Sequence, residues 1–249
     1  MKSKLSWIPN TLTLGNLTLG FVSIVLSSEA GRFFPESNQP FLLSGIFIIL
    51  AALFDGFDGM AARALNATSE VGAELDSLAD LTTFGIAPGY LMYKMILFDF
   101  TLSIGDSNLT YGILIAAIFP ICAAYRLARF NAAHDPVSFT GLPSPVAGVI
   151  VGLFPVSFHL DQIPNYLTLP AFIVIALLMV STIKYSKPQV AMRGKFTKER
   201  MIVIILGLAI LFFFIGFHRI PWLLYGIIIF YVFSGIISLI IHLIQDYKL

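Results

Sequence analysis

The sequence predicts an all-α integral membrane protein with about eight transmembrane helices and both termini cytoplasmic. Three observations lead there. Hydrophobic residues make up 57% of the 249 and charged residues only 12%, where an ordinary soluble domain carries about 25% charged residues. Eight apolar stretches approach the length of about 17–25 residues that crosses a hydrocarbon core; they cover 11–28, 42–63, 72–98, 112–132, 145–160, 167–183, 201–217 and 221–243. With successive spans alternating in direction, twelve of the fifteen Lys and Arg residues fall on one side, and an excess of basic residues marks the cytoplasmic side. No long polar block is left for a soluble domain, so 1–249 reads as a single membrane domain: a core over about 8–183 and two additional helices over about 201–243.

The first span follows Lys2 and Lys4 and has no small-residue cleavage site before the polar segment at Ser27, so it reads as a retained helix and not a removed signal peptide. The second and third spans carry charge, and Arg63 lies at their inner connection. The fourth ends in Arg126 and Arg129 on the same side. The fifth and sixth are short and are separated by the turn-like Asp161-Gln162-Ile163-Pro164-Asn165. Before the seventh comes a basic connection with Lys184, Lys187, Arg193, Lys195, Lys198 and Arg200 against Glu199. Such a loop is the usual orientation signal, and it attracts anionic lipid headgroups at about 1 kcal/mol per charge. Arg32 and Arg219 lie in outer loops and Lys94 near the outer end of the third span, while Lys248 follows the eighth.

The informative anomaly is acidic. Six of the fourteen Asp and Glu residues fall between Asp55 and Asp80, in and between two segments that otherwise read as membrane helices. One aspartate costs roughly 2.5–3.5 kcal/mol at the centre of such a helix, so four of them need compensation. At the helical period Asp55, Asp58, Gly59, Ala62 and Arg63 share one side of the second helix, and Gly72, Asp76 and Asp80 form an i, i+4, i+8 stripe on the third. Facing each other, these helices gather four carboxylates near the cytoplasmic side. Hard divalent cations, Mg²⁺ or Mn²⁺, suit carboxylate oxygens, and no histidine or thiolate stands nearby to favour zinc. Two ions match the fourfold charge, and a pair about 3.5–4 Å apart clamps both oxygens of a phosphoryl displacement. The guanidinium of Arg63 fits a phosphate, Ser69 offers it a hydroxyl, and Gly59, Ala62 and Gly72 let a ligand approach the backbone. The competing role for small residues is close helix packing.

The run Asp55-Gly56-Phe57-Asp58-Gly59-Met60-Ala61-Ala62-Arg63, followed by Gly72, Asp76 and Asp80, fits D-x2-D-G-x2-A-R-x8-G-x3-D-x3-D at all eight specified positions. An accidental match of that kind is on the order of 10⁻⁹ per starting position. The sequence thereby resembles the CDP-alcohol phosphotransferases. The resemblance implies a membrane enzyme that displaces CMP from a CDP-linked lipid with an alcohol and that works as a homodimer. It implies that Asp55, Asp58, Asp76 and Asp80 hold two divalent metals and that Asp80 also takes the proton of the attacking hydroxyl. Gly59, Arg63 and Ser69 fall where the family binds the CDP portion, with Ala62 and Gly72 completing that face.

Further stretches resemble the phosphatidylserine synthases of this family: Ile8-Pro9-Asn10-Thr11-Leu12-Thr13-Leu14-Gly15-Asn16, Leu75-Asp76-Ser77-Leu78-Ala79-Asp80 with Phe84-Gly85-Ile86-Ala87-Pro88, Arg126-Leu127-Ala128-Arg129-Phe130-Asn131, and Gly141-Leu142-Pro143-Ser144-Pro145. This similarity implies CDP-diacylglycerol and L-serine as substrates. Serine carries a carboxylate, so its pocket needs fixed positive charge; Arg126 and Arg129, i, i+3 apart at the cytoplasmic level, are the candidates, with Asn131 orienting the substrate or bracing an arginine. Both arginines are equally suited to anchoring a helix end. Glycerol 3-phosphate or an inositol phosphate is the alternative acceptor, and a cation transporter or channel is the alternative class, because intramembrane aspartates also mark ion pathways.

The remaining features are bland. A net charge of +1 excludes nucleic-acid binding through bulk positive charge, and the single Cys122 excludes an intramolecular disulfide. His134, His159, His218 and His242 read as isolated interfacial residues. The Gly148-x3-Gly152 pair and the 23 phenylalanines serve helix packing and the lipid-facing surface.

Overall fold

A computed structural model describes residues 7–30, 38–104, 107–133, 138–158, 165–186 and 220–246. The chain is mainly helical: α1 (Trp7–Ser28), α2 (Gln39–Ala64), α3 (Glu70–Leu81), α4 (Ala87–Met95), α5 (Gly112–Ala133), α6 (Ser144–Ser157), α7 (Asn165–Val180) and α8 (Ile220–Asp246). Of these, α1, α2 and α5 are long and apolar enough to cross a membrane, and α6, α7 and part of α8 are shorter apolar helices. The expected seventh span, 201–217, lies outside the described residues, as do His134, His159 and His218 and the side chain of His242.

The polarity of α1 is inverted relative to a helix in water. Its buried residues are Pro9, Thr13, Asn16, Gly20, Ser23 and Ser27, spaced three or four apart, while Trp7, Leu14, Phe21 and Val25 are exposed. Small and polar residues packed inward with large apolar ones outward is the pattern of helices that associate in lipid, where apolar burial gives no drive. On α2 four of the six buried positions are likewise small or polar, Ser44, Gly45, Ala51 and Asp58, beside Pro40 and Ile48. The two helices are antiparallel and joined by hydroxyls: Ser23 and Ser44 share a hydrogen bond of 2.7 Å, and Ser27 donates to Ser44 at 2.8 Å. Gly45 faces the main-chain carbonyl of Gly152 on α6, where an added Cβ would overlap the oxygen.

The expected third span, 72–98, is not one regular helix. After α3 comes a π-helical turn, Thr82–Ile86, before α4, and the Ala87 N–H bonds to the Thr82 carbonyl. Pro88 follows at once; having no N–H, it cannot close the α-helical bond to Phe84, and the extra residue is accommodated there. The turn seats Thr83 against Gly20, with its Oγ1 donating to the Asn16 carbonyl at 3.1 Å. Gly85 and Gly89 let the same rod approach Ala116, Pro120 and Ala123 on α5.

Two short sheets were not legible as strands in the sequence. Strands β1 (Thr101–Ile104) and β2 (Ser107–Thr110) form an antiparallel hairpin before α5, and β3 (Ser138–Thr140) pairs antiparallel with β4 (Lys184–Ser186). The larger apolar core lies among α4, α5, α6 and α7, with Leu97, Phe119, Ala123, Leu142, Ala147, Ala176 and Met179 enclosed. Phe119 and Phe172 stack at 5.0 Å. The 14 residues of α6 span about 21 Å, and most of them are buried, so this helix is enclosed by its neighbours. At its end Phe158 meets Trp222 and Tyr225 of α8 edge-on.

Gly45→Val should force α2 away from α6 and cost about 1–3 kcal/mol of overpacking, read as a lowered Tm in detergent. Gly226→Val, at a position with open space around it, should leave Tm unchanged.

Candidate active site

Three helices bring the acidic residues together. The α1–α2 pair is antiparallel, with Thr13 opposite Asp58 and Ser27 opposite Ser44. α3 runs parallel to α1, with Gly72 beside Asn10 and Thr83 beside Asn16. Carboxylate oxygens of Asp55, Asp76 and Asp80 consequently lie within 4.8 Å of one another. Asp58 is buried and turned toward α1, where the Thr13 hydroxyl donates to its Oδ2 at 2.8 Å. The expected set of four is therefore three converging carboxylates and a fourth, one helical turn away, fixed by a threonine.

The donor set suits a cation. Asp76 Oδ1 and Asp80 Oδ1 are buried and have no hydrogen-bond partner among the described residues. Ionised carboxylates offer acceptors only, so buried oxygens facing each other without donors need a positive ion or protons to be tolerated. Oxygen ligands at this spacing match Mg²⁺ or Mn²⁺.

Beside the carboxylates opens a cleft of about 150 Å³, lined by Pro9, Asn10, Thr13, Asp58, Gly59, Ala62, Ala67, Thr68, Ser69, Gly72, Ala73 and Asp76. Six of the expected site residues meet there: Asp58, Gly59, Ala62, Ser69, Gly72 and Asp76. Ser69 caps α3 by accepting the Gly72 N–H at 3.0 Å, which uses an oxygen lone pair and leaves the hydroxyl proton for a ligand. The positive end of the α3 dipole also faces this cleft and favours an anion. Arg63 is exposed at the rim, with its two terminal nitrogens 3.9 Å from where a Cβ on Gly59 would stand. Pro9, Asn10 and Thr13 were missed as site residues; the signal was the polar character of one α1 face inside an otherwise apolar span.

The paired arginines separate into two roles. Arg126 is buried, donates to Ser144 Oγ at 2.6 Å, and is within Coulombic reach of Asp80 and Asp55. Arg129 faces elsewhere. Its Nη1 donates to the Val180 carbonyl at 3.0 Å, and its Nη2 to the carbonyls of Thr140, Met179 and Ser181 at 2.6, 3.3 and 3.1 Å. The carbonyls of Met179, Val180 and Ser181 are orphan groups at the C-terminus of α7 and that of Thr140 belongs to β3, so Arg129 caps a helix and ties it to β3. Gly141, with φ of +83°, makes the close approach possible, because a Cβ there would stand 2.8 Å from Arg129 Nη2. Asn131 donates to Ser77 Oγ at 3.0 Å and so braces α3 beside Asp76 instead of an arginine.

Apolar helices enclosing a group of carboxylates next to a small-residue cleft define a membrane-type helical bundle with a site for oxyanion chemistry. Residues 6–183 match the model of the CDP-alcohol phosphatidyltransferase family, and the chain belongs to that family. It is 32% identical over 235 residues to a CDP-diacylglycerol–serine O-phosphatidyltransferase of Helicobacter pylori, covering 88% of this chain and 89% of the relative. Against the enzyme of the same name from Bacillus subtilis it is 35% identical over 158 residues, 62% of this chain and 78% of the relative. An archaetidylserine synthase of Methanothermobacter thermautotrophicus is 34% identical over 185 residues, 72% and 70% of the two chains.

Arg129→Ala should release the α7 terminus and cost about 1–3 kcal/mol for lost charged hydrogen bonds to partly buried carbonyls, measured as a lowered Tm. The KM for the acceptor alcohol should stay within about twofold in the protein that folds.

Proposed function

We propose that this protein is a phosphatidylserine synthase, transferring a phosphatidyl group from CDP-diacylglycerol to the hydroxyl of L-serine and releasing CMP. The observation that carries the reading is the convergence of Asp55, Asp76 and Asp80 with a buried Arg126 in electrostatic reach, in a chain whose relatives named above act on serine lipids. In this reading Asp55, Asp58, Asp76 and Asp80 bind two divalent cations, Mg²⁺ or Mn²⁺, which supply charge neutralisation and Lewis acidity at the diphosphate. The cleft along Gly59, Ala62, Ser69 and Gly72 takes the CDP portion, and Arg63 closes over it from the rim.

Arg126 holds the serine carboxylate, which sets the hydroxyl toward Asp80. Asp80 takes the hydroxyl proton, the oxygen attacks the β-phosphorus that bears the diacylglycerol, and the bond from that phosphorus to the bridging oxygen breaks. CMP leaves with the bridging oxygen, its charge met by Arg63. Asn131 contributes by holding Ser77 and thereby the pitch of α3. Both charges of serine then have a partner, since its ammonium can face Asp55 or Asp80, the carboxylates within electrostatic reach of Arg126. Glycerol 3-phosphate, with a dianionic phosphate, calls for more fixed positive charge than one buried arginine.

The remaining architecture belongs to the same proposal. Eight spans with both termini in the cytoplasm place the acidic site at the cytoplasmic face of the cell membrane. The core over about 8–183 is catalytic, the two C-terminal helices belong to the same single domain, and the enzyme works as a homodimer.

With CDP-diacylglycerol and Mn²⁺, radiolabelled serine should enter lipid while labelled glycerol 3-phosphate and inositol phosphate do not, and excess EDTA should abolish the transfer. Incorporation of either phosphate acceptor in preference to serine overturns the assignment. At saturating metal, Asp80→Asn should lower kcat by about 10²-fold or more, the contribution of a positioned base. Arg126→Ala should instead raise the KM for serine at an unchanged KM for CDP-diacylglycerol.

A further inference from the structure

Asn16 lies in the middle of α1 and is 0% exposed, yet neither Oδ1 nor Nδ2 has a hydrogen-bond partner among the described residues. A carboxamide buried this way costs on the order of 1–3 kcal/mol for each unmet group. Its backbone is held in place from the other side, since the Asn16 carbonyl accepts the Thr83 hydroxyl. The side chain is thus the unexplained part.

Helix register gives its depth. The contacts Thr13–Asp58 and Ser27–Ser44 share one antiparallel alignment of α1 with α2, and in that alignment Asn16 stands opposite Asp55. On the parallel side, Asn10 beside Gly72 and Asn16 beside Thr83 place Asp80 within a turn of the same level. Asn16 also continues the α1 face that carries Pro9 and Thr13, both of which line the cleft. An unmet donor therefore sits at the depth of carboxylates that include an unmet acceptor, Asp80 Oδ1.

We propose that Asn16 is a positioning residue for the acidic site: its Nδ2 and Asp80 Oδ1, which are not bonded to each other in this structure, join by side-chain rotation when the site is loaded and so fix the aim of that carboxylate. Thr13 already does this for Asp58, one turn earlier on the same helix. Partners of metal-binding carboxylates typically change affinity by about 10–100-fold when removed. The inference rests on the cation-binding reading of the cluster, and the control below separates the two.

The test compares Mn²⁺ binding, by calorimetry or electron paramagnetic resonance, in the detergent-purified full-length protein. Asn16→Leu is nearly isosteric and removes both unmet polar atoms. A residue that merely fills the core should then give equal or higher Tm and unchanged Mn²⁺ affinity. A positioning residue gives equal or higher metal-free Tm with Mn²⁺ affinity weakened about tenfold or more. Asn16→Asp covers the case in which the leucine variant does not fold. Near the cluster, the added carboxylate should raise Mn²⁺ affinity or stoichiometry and make the Tm gain on adding Mn²⁺ larger than in the parent. Remote from it, the same variant loses Tm and binds Mn²⁺ as the parent does, which overturns the proposal. Asp55→Asn is the control: if it also binds Mn²⁺ normally, the cation reading has failed, whereas if it loses Mn²⁺ while Asn16→Leu keeps it, only the role of Asn16 has failed.

Discussion

Carboxylates buried between apolar helices are the constraint around which the rest of the molecule is arranged. A charged oxygen in such surroundings persists only when something of opposite charge or a donor meets it. The neighbouring elements supply such partners from two directions. Thr13 reaches across from α1 to Asp58 and Arg126 from α5 bears on Asp80 and Asp55, while one oxygen each of Asp76 and Asp80 has no hydrogen-bond partner among the described residues. The inverted polarity of α1 follows from the same requirement, since a helix facing this group cannot present leucines to it. Its large apolar side chains are turned outward instead, where lipid accepts them.

The two arginines at the end of α5 show how one short stretch serves chemistry and architecture together. Separated by less than one turn, they diverge because the helix directs Arg126 inward to Ser144 and Arg129 along the surface to the end of α7. Without the second, the first would rest on a helix whose neighbour is free to shift. The pairing of β3 with β4, which brackets the same region, adds main-chain bonds to that connection. A positively charged pair in a membrane protein is therefore not a unit, even where its spacing suggests one.

What was legible in the sequence was local. The signature from Asp55 to Asp80 spans two consecutive helices and one short turn, so helical periodicity was enough to gather Asp55, Asp76, Asp80 and the small residues of the cleft. The helical segments were legible too, because apolar length is a one-dimensional property. The fixation of Asp58 was not, since it depends on Thr13, 45 positions away; the polar face of α1 marks Thr13 but does not say which residue it meets. Nor was the role of Arg129, whose acceptors are main-chain carbonyls, three of them about 50 residues downstream, that carry no side-chain signal. The break in the third span was signalled by Pro88, but hydropathy continues through it unaltered and hides the change of period.

That break has an evolutionary consequence. A π turn holds one residue more than the α-helical path between the same two points, so Thr82–Ile86 amounts to an insertion absorbed without lengthening the rod. The aspartates of α3 and Gly89 of α4 are thereby set at a phase that no uninterrupted helix could give them, offset by about 100°. Loss of a single codon within this stretch would leave the hydropathy pattern and every site residue intact, and would still rotate the carboxylate stripe away from α2 relative to the packing face beyond. In this segment the facing of the side chains depends on chain length as well as on residue type, and a gap placed within it shifts the residues beyond by about 100° around the helix.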